Sequence, residues 1–344
     1  MSLTWKKYQL QFKQPSGTSR GILKTKDSWF LMDGGMNPFI GECSIIEGLS
    51  PDPVHEIEDK LDELCSTNDM STLDLGQFPS IRFALEMIEL DKTRRDQSKS
   101  NDFQLGKKGI PINGLVWMGE VDFMKKQIRD KVASGFSCIK IKIGAIDFNS
   151  EIALLKWIRS EYSEQELELR VDANGAFSPS DALQKLHRLS EFRLHSIEQP
   201  IATNQWEEMA RLCSLSPITI ALDEELIGLN EDQMFKMMDV IKPQYVILKP
   251  SLLGGLEMSD KIIQMAEKKN IGWWLTSALE SNVGLDTIAQ YAYQKNVSMP
   301  QGLGTGGLYT NNLDSPLYIQ GQFLFMHPEH KWNLNPLLSV SYTH

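Results

Sequence analysis

The stretch Cys138-Ile139-Lys140-Ile141-Lys142-Ile143-Gly144 alternates between apolar and charged side chains. Because successive side chains of a strand point to opposite faces, the isoleucines share one face, and Lys140 and Lys142 share the other. In a strand of a closed barrel, the isoleucines would meet the surrounding helices and both lysines would lie in the barrel mouth. The alternative is an exposed edge strand with two solvated lysines, but its isoleucine face would then need another cover.

Charged residues recur along the chain at the ends of similar strand-like runs. Lys142, Asp172, Glu198, Asp223 and Lys249 follow one another at intervals of 25 to 30 residues, and a stretch of helix length follows each run. One strand with its crossover helix occupies roughly 30 residues. This rhythm predicts an α/β fold of the (β/α)₈ type, in which the strand ends converge on the face that carries the active site.

The rhythm begins near Ile110 and predicts eight barrel strands, at 112–117, 137–143, 167–172, 194–198, 218–223, 245–249, 272–277 and 302–306. The first hundred residues differ, since three strand patterns precede two helix patterns, at 5–12, 28–32, 39–46, 54–64 and 80–90. Pro15-Ser16-Gly17 has the composition of a turn, and Asp91–Gly106 that of a linker. Strands followed by helices indicate a separate α+β domain. We predict a capping domain, a barrel and a C-terminal segment that packs back on the cap, at 1–107, 108–309 and 310–344.

Three consecutive predicted barrel strands end in a carboxylate: Asp172, Glu198 and Asp223. A single acid at a strand end is commonplace, since Asp favours turns. Three that converge on one barrel mouth repel one another unless a cation lies between them. Oxygen ligands without His or Cys favour Mg²⁺, with Mn²⁺ as the alternative. Asn174 and Glu224 are predicted to orient these ligands.

Lys140 and Lys142 are predicted to lower each other's pKa, because two ammonium groups held close together repel. A lysine that is neutral near pH 7 can act as a general base. Lys249 ends the sixth predicted strand, across the barrel from the second. It caps the rim, protonates the substrate, or holds a negative or aromatic group of the substrate from the opposite side.

The ends of the last two predicted strands supply further candidates for substrate binding. Backbone N–H groups of the glycine-rich stretch 302–307 can meet a carboxylate or phosphate, and a plain tight turn is an equal alternative. The candidate residues are Ser277, Gly304, Thr305 and Gly306.

Composition argues against several classes of partner. The chain has 344 residues and a formal net charge of −10, and it lacks a basic run, so nucleic acid is not an expected partner. Its four cysteines show no CxxC spacing, and neither a signal peptide nor an apolar run of membrane length is recognisable. We expect a cytoplasmic protein without membrane contact that acts on a small molecule. Association into a homo-oligomer stays open.

Taken together, these residues resemble the enolase superfamily, and within it the muconate-lactonizing subgroup. The subgroup has a KxK motif on strand two, metal-binding carboxylates on strands three to five and a lysine on strand six. The matching positions in this chain are Lys140, Lys142, Asp172, Glu198, Asp223 and Lys249. The resemblance implies a modified (β/α)₇β barrel with an α+β cap, a divalent metal ion and abstraction of a proton next to a carboxylate.

Four segments are similar to the o-succinylbenzoate synthase family of menaquinone biosynthesis: 17–21, 41–52, 277–281 and 302–306. That similarity implies dehydration of 2-succinyl-6-hydroxy-2,4-cyclohexadiene-1-carboxylate to o-succinylbenzoate through an ene-diolate. Lys142 would be the base, with its pKa lowered by Lys140. Lys249 would remain a cation on the opposite ring face, and Arg20 would hold a substrate carboxylate.

Two alternatives remain. Dipeptide epimerases and N-acylamino acid racemases belong to the same subgroup and use the same two lysines. Epimerases carry an Asp-x-Asp motif after the eighth strand, whereas Gly304-Thr305-Gly306 is followed here by Leu308-Tyr309-Thr310-Asn311-Asn312. The other alternative is a barrel that serves binding or assembly without catalysis.

Overall fold

The computed structural model describes residues 3–18, 21–35, 37–67, 72–96 and 100–338. The N-terminal part forms a three-stranded antiparallel sheet of β1 (Leu3–Thr18), β2 (Gly21–Asp33) and β3 (Phe39–Ser44). A 3₁₀ turn at Val54–Glu56 leads into two helices, α1 (Ile57–Ser66) and α2 (Pro79–Asp96). The two helices bury an apolar core against the sheet that includes Trp29, Leu31, Cys43, Ile57, Leu61 and Ile81. This part therefore has the predicted α+β character.

Two local predictions in this region were wrong. The turn predicted at Pro15-Ser16-Gly17 is part of β1, and the hairpin reverses after Thr18. The pairing of β1 with β2 shifts register between Gln11 and Ser16, so Pro15, which has no N–H, lies where the ladder is interrupted. The predicted linker 91–106 begins too early, because α2 continues to Asp96. Arg94 and Arg95 in its last turn favour that extension through the helix dipole.

Within the described residues, the barrel sheet contains seven parallel strands hydrogen-bonded in chain order. They are β5 (Gly114–Val116), β6 (Cys138–Lys142), β7 (Glu168–Asp172), β8 (Ser196–Glu198), β9 (Ile220–Leu222), β10 (Tyr245–Leu248) and β11 (Gly272–Leu275). The crossover helices are α3 (Val121–Ala133), α4 (Phe148–Glu161), α5 (Pro179–Ser190), α6 (Trp206–Leu215), α7 (Glu231–Ile241), α8 (Pro250–Leu253), α9 (Leu256–Lys268) and α10 (Asn282–Gln294). A 3₁₀ turn, Glu224–Leu226, follows β9. The predicted α/β barrel is confirmed.

The eighth strand predicted at 302–306 was wrong. The ring closes instead through two isolated parallel bridges, from Gln301 to Ile112 beside β5 and from Gly302 to Thr276 beside β11. A Cβ at Gly302 would lie 2.1 Å from the Thr276 Oγ1, so only glycine permits this approach. The glycine-rich run after it has few side chains that could pack into a regular strand.

The alternation in β6 has the predicted consequence. Ile139, Ile141 and Ile143 are buried in the main core together with residues of the surrounding helices. Because β6 pairs with β5 on one side and β7 on the other, the edge-strand alternative is excluded. Lys140 and Lys142 lie on the opposite face and line a cavity inside the barrel mouth.

The C-terminal part contacts both the cap and the start of the barrel. The Lys13 N–H donates to Leu308 O, and the Tyr8 hydroxyl donates to Asn311 O, each at 2.8 Å. Further on, β12 (Leu317–Gln320) and β13 (Phe323–Met326) form an antiparallel sheet with β4 (Ile110–Pro111), and α11 (Asn335–Leu338) follows. The domain limits 107/108 and 309/310 stay a prediction. Across the described ranges, each helix is too short or too polar to span a bilayer.

Candidate active site

The acids at the ends of β7, β8 and β9 point to the same end of the barrel. Asp172 pairs in register with Glu198, and both carboxylates lie within hydrogen-bond reach of one ammonium group. The Lys140 Nζ is 3.2 Å from Asp172 Oδ2 and 2.9 Å from Glu198 Oε2. Asp223 follows β9 on the adjacent strand, and all three acids are buried. The carboxylates of Asp172 and Glu198 therefore lie close together, as predicted, and Asp223 follows the next strand of the sheet.

Lys142 occupies the outer end of β6, beside Asp172. Its Nζ lies 2.5 Å from Asp172 Oδ2 and 2.8 Å from Asn174 Oδ1. The Asn174 side-chain amide donates to Glu224 Oε1 at 2.8 Å. Asn174 has a positive φ of 44°, a conformation that Asn tolerates better than most residues. This turn places the amide between the lysine and Glu224. The predicted role of Asn174 and Glu224 in orienting metal ligands stays a prediction.

Lys249 stands on the far side of the mouth. It is the last residue before α8, and its ammonium group forms an ion pair with the Asp223 carboxylate. Pro250 follows at the first position of α8, where a missing N–H breaks no hydrogen bond. Lys142 and Lys249 therefore flank the acids from strands on opposite sides of the carboxylate group.

Burial and crowding set the charges of this cluster. Burial, with repulsion from Asp172, raises the pKa of Glu198 well above its usual range. Burial also disfavours ionised Asp172, but the ammonium groups of Lys142 and Lys140 outweigh it and hold the pKa of Asp172 below its usual value. For Lys140, burial lowers the pKa, and the carboxylates of Glu198 and Asp172 more than reverse that effect. The predicted lowering of the Lys140 pKa was therefore wrong, because the sequence does not reveal the direct ion pairs.

Contacts with the lysines also affect whether the acids are already arranged as ligands of a metal ion. In the part of the chain that the structure describes, no group of three His, Cys, Asp or Glu side chains is arranged as one. The carboxylates contact lysines instead. Their donor chemistry nevertheless fits a divalent cation, since three buried carboxylates supply only hard oxygen ligands. Glu224 Oε2 is buried with no hydrogen-bond partner among the described residues, which adds an oxygen in need of one.

One cavity joins these charges to an apolar wall. Its charged and polar lining includes Lys140, Lys142, Asn174, Glu224 and Lys249, and its apolar lining comes from Ile46, Leu49, Leu115, Trp117, Ala278 and Leu279. Of the predicted substrate-binding residues, Ser277, Gly304 and Thr305 also line it. Gly306 does not, since its carbonyl accepts a bond from Asn312 and its Cα faces Asn282 of α10. Arg20 lies outside the described residues.

Sequence reasoning missed part of this lining. Asn113, Leu115 and Trp117 alternate along β5 and its flanks, so they share the face that looks into the barrel. The same period-two reading that singled out the lysines of β6 applies here, but these residues carry no conspicuous charge. Ile46 and Leu49 follow β3 in the cap. They lie in segment 41–52, which the resemblance singled out, but no pattern in the sequence identified these two residues.

A second missed feature holds the acids in place from behind. The Gln199 side-chain oxygen accepts from the Asp223 N–H at 3.3 Å, and its amide donates to Glu225 Oε2 at 3.0 Å. Glu225 also accepts from the Asn204 N–H and the Trp206 indole. Gln199 and Glu225 follow Glu198 and Asp223 in the chain by one and two residues. They tie the ends of β8 and β9 together and so fix the spacing of two predicted metal ligands.

Comparison with known proteins agrees with this geometry. Residues 123–316, more than half of the chain, match the family described as enolase C-terminal domain-like. The chain belongs to the enolase superfamily. It is 49% identical to an o-succinylbenzoate synthase of Desulfotalea psychrophila, over 94% of this chain and 98% of that protein.

The fold is also similar to those of two solved structures. The crystal structure of MenC from Desulfotalea psychrophila superposes with a TM-score of 0.85 at 46% identity, covering 95% of this chain and 99% of that one. A muconate lactonizing enzyme from Pseudomonas fluorescens gives a TM-score of 0.82 at 19% identity, covering 98% and 97%. The second likeness concerns the fold alone.

Proposed function

We propose that this protein is an o-succinylbenzoate synthase. It would dehydrate 2-succinyl-6-hydroxy-2,4-cyclohexadiene-1-carboxylate to o-succinylbenzoate in menaquinone biosynthesis. The observation that carries the proposal is the single cavity in which the lysines of β6 and Lys249 face one another beside three buried carboxylates. The near full-length similarity to a synthase with that name supports the choice of substrate. A hydro-lyase that acts by proton abstraction next to a carboxylate is the reaction class.

Asp172, Glu198 and Asp223 would hold one divalent metal ion, and we propose Mg²⁺ because the ligand set is oxygen alone. When bound, the ion supplies positive charge for the substrate carboxylate and for the negative charge that develops on it. The ammonium groups of Lys140 and Lys249 now contact these acids. With the metal ion bound, the ammonium groups of Lys140 and Lys249 would be free to turn toward the substrate.

Lys142 carries out the proton transfers in this proposal. In its neutral form, Nζ takes the proton from the carbon next to the ring carboxylate, and the electron pair of the C–H bond moves into the ene-diolate. The ammonium that results then gives its proton to the leaving hydroxyl group, so that the C–O bond breaks and water departs. Asn174 holds Nζ at 2.8 Å and keeps the amine aimed at one point of the cavity.

Lys140 and Lys249 would keep their positive charge throughout the reaction. Lys140 stands behind Lys142 on the same strand and adds positive charge where the ene-diolate forms. Lys249 faces the opposite side of the ring, where an ammonium group is attracted by the aromatic face that the reaction creates. The apolar residues Leu115, Trp117 and Leu279 would enclose the hydrocarbon ring. Ser277, Thr305 and Gly304, together with Arg20 from the cap, would hold the carboxylate of the succinyl arm.

The decisive experiment mixes the purified protein with the cyclohexadiene substrate and Mg²⁺ and follows formation of the aromatic product. Rapid conversion that stops when the metal is chelated is the expected result. The rival activity is epimerisation of a dipeptide or racemisation of an N-acylamino acid. Exchange of deuterium at an amino-acid α-carbon, without dehydration of the diene, would favour that rival. Lack of both activities and of Mg²⁺ binding would leave a non-catalytic barrel. We further propose that the protein works in the cytoplasm.

A further inference from the structure

A second group of buried charges lies where the cap meets the barrel, away from the acids of the mouth. Glu42 on β3 is fully buried. Its Oε1 accepts from the Ser28 hydroxyl and from the Ser281 N–H, both at 2.9 Å. Its Oε2 accepts from the Ser281 hydroxyl at 2.6 Å and the Gly284 N–H at 3.0 Å. One carboxylate of the cap therefore satisfies the N-terminus of α10 in the barrel.

Glu280 lies next to this contact and is also fully buried. It accepts from the Ser251 hydroxyl at 2.5 Å, the Ser277 hydroxyl at 2.6 Å and the Ala278 N–H at 2.8 Å. Ser251 is two residues beyond Lys249, while Ser277 and Ala278 line the substrate cavity. Glu280 thus joins the loop that carries Lys249 to the loop that forms a cavity wall.

Leu279 is the strained residue in that wall. Its φ of 62° is a left-handed conformation, which is unfavourable for a residue other than glycine. The Leu279 N–H donates to the Ser277 hydroxyl at 3.0 Å, and its carbonyl accepts from the Tyr309 hydroxyl at 2.6 Å. The strain directs the leucine side chain into the cavity and against Leu10 and Phe12 of the cap. Such a conformation persists only where neighbouring bonds enforce it.

Lys26 supplies the compensating charge. Its buried ammonium donates to the Ser28 hydroxyl at 3.1 Å and to the Ser44 hydroxyl at 2.6 Å, and Ser28 in turn donates to Glu42. Burial lowers the pKa of Lys26, while Glu42 and Glu280 act in the opposite direction. The Ser28 hydroxyl therefore links the cation to the Glu42 carboxylate, and the two charges share no direct hydrogen bond in this chain of contacts. Such bonds depend on direction, so they hold geometry rather than charge alone.

We propose that Glu42 and Glu280 are positioning residues that hold segment 277–279, with left-handed Leu279, as the wall of the substrate cavity against the closed cap. Neither side chain lines the substrate cavity. Glu280 holds this wall at a constant distance from α8, which begins directly after Lys249. Glu42 holds the cap against the N-terminus of α10. The kinetic test of this inference rests on the proposed dehydration, whereas the hydrogen bonds of Glu42 and Glu280 do not depend on it.

The hydrogen-bond pattern predicts different outcomes for the same conservative change. In Glu280→Gln, the remaining oxygen can accept from Ser277 and Ala278, and the new amide can donate to the Ser251 hydroxyl, which accepts as well as it donates. In Glu42→Gln this exchange fails, because each oxygen of Glu42 accepts a backbone N–H and an amide would oppose one of them. Glu280→Gln should therefore restore what Glu280→Ala loses, and Glu42→Gln should not be tolerated.

The kinetic test compares Glu280→Ala, Glu280→Gln and Glu42→Gln with the exposed control Glu207→Gln. We expect KM for the cyclohexadiene substrate to rise about tenfold or more in Glu280→Ala and Glu42→Gln, with kcat changed less than about threefold. KM in Glu280→Gln and the control should stay near wild type. Mg²⁺ affinity should be unchanged in all four, since the mouth acids are untouched. A fall in kcat at constant KM, or equal losses in both Glu280 variants, would overturn the proposal.

Hydrogen exchange of the peptide covering 277–284 tests the same bonds without any assay. Exchange in this peptide should be faster in Glu280→Ala and Glu42→Gln than in wild type and Glu280→Gln. If wild type fails to convert the diene but this pattern holds, the proposed function is wrong and the positioning role stands. If the exchange of this peptide is unaltered in folded Glu280→Ala, the positioning role is wrong whatever the enzyme's substrate.

Discussion

Two regions of this molecule hold buried carboxylates whose partners differ in kind. In the barrel mouth, Asp172, Glu198 and Asp223 contact ammonium groups of lysines. At the cap–barrel contact, Glu42 and Glu280 accept bonds from serine hydroxyls and backbone N–H groups, although Lys26 is close by. The same side-chain type is held by ions in one region and by neutral dipoles in the other.

The partners in the two regions differ in whether another group can replace them. An ammonium group interacts with a carboxylate mainly through charge, so a divalent cation can take its place and release it toward a substrate. A backbone N–H cannot move away, and a serine hydroxyl can turn only about its own bond. The mouth is therefore suited to bind and react, whereas the cap contact is suited to hold a wall in one position. Each prediction below tests one side of this contrast.

The largest expected effect concerns the amine in the mouth. Lys142→Ala should lower kcat about 10²–10⁴-fold, because it removes the amine that Asn174 holds in the position of the base. Circular dichroism should show an intact fold, since Lys140 still neutralises Asp172. The exposed Lys126→Ala is the matched control. Turnover within tenfold of wild type would remove Lys142 from the mechanism.

Next in size is the loss of a predicted metal ligand. Glu198→Gln keeps the shape of the side chain but removes its charge, so calorimetric titration should show Mg²⁺ binding weakened more than about a hundredfold. Changes to residues that only orient ligands already cost about 10–100-fold. Glu207→Gln serves again as the exposed control. An unchanged titration curve would mean that the ion, if bound, lies elsewhere.

The buried carboxylate of Asp52, which belongs to neither group, extends the comparison to pH. Asp52 accepts from the Ser80 N–H and hydroxyl, and burial raises its pKa to about 6. Because this pKa exceeds the ordinary value of 3.8, the carboxyl group favours folding below about pH 3.8 and loses that benefit as pH rises through 6. Asp52→Asn should remove a pH-dependent term of up to about 3 kcal/mol in the free energy of unfolding.

Urea unfolding of wild type and Asp52→Asn between pH 4 and pH 7 measures this term. The free energy of unfolding of Asp52→Asn should increase relative to that of wild type as pH rises. Asp59→Asn, on the exposed side of α1, controls for surface charge. Parallel curves for wild type and Asp52→Asn would show that Asp52 titrates normally.

The smallest effect is expected for the glycine-rich loop. The Thr305 hydroxyl lines the cavity and is buried with no hydrogen-bond partner among the residues described. If it donates to the substrate, Thr305→Val should raise KM about threefold to tenfold and leave kcat unchanged. The melting temperature should not fall, because valine has the same shape and removes an unpaired polar atom. A lower melting temperature with an unchanged KM would assign the hydroxyl to folding.

Much of the site was predictable because strand ends are recognisable in a βα rhythm. Two lysines in period-two alternation and three acids at successive strand ends needed no long-range information. The pKa of Lys140 was not predictable, since it depends on which carboxylates its side chain reaches. The eighth strand was predicted wrongly because composition does not distinguish a strand from two isolated bridges made by Gln301 and Gly302.

The sequence by itself determined the barrel, its cap and the identity of the charged residues in the mouth. These follow from local periodicity, which sets the face of each side chain, and from the order of strands along the chain. Only the tertiary structure decided that Glu42 meets Ser281, 239 residues away, and that Leu279 takes a left-handed backbone beside the cavity. The reason is physical: a contact between distant segments depends on how two finished units pack, and no local pattern encodes that packing.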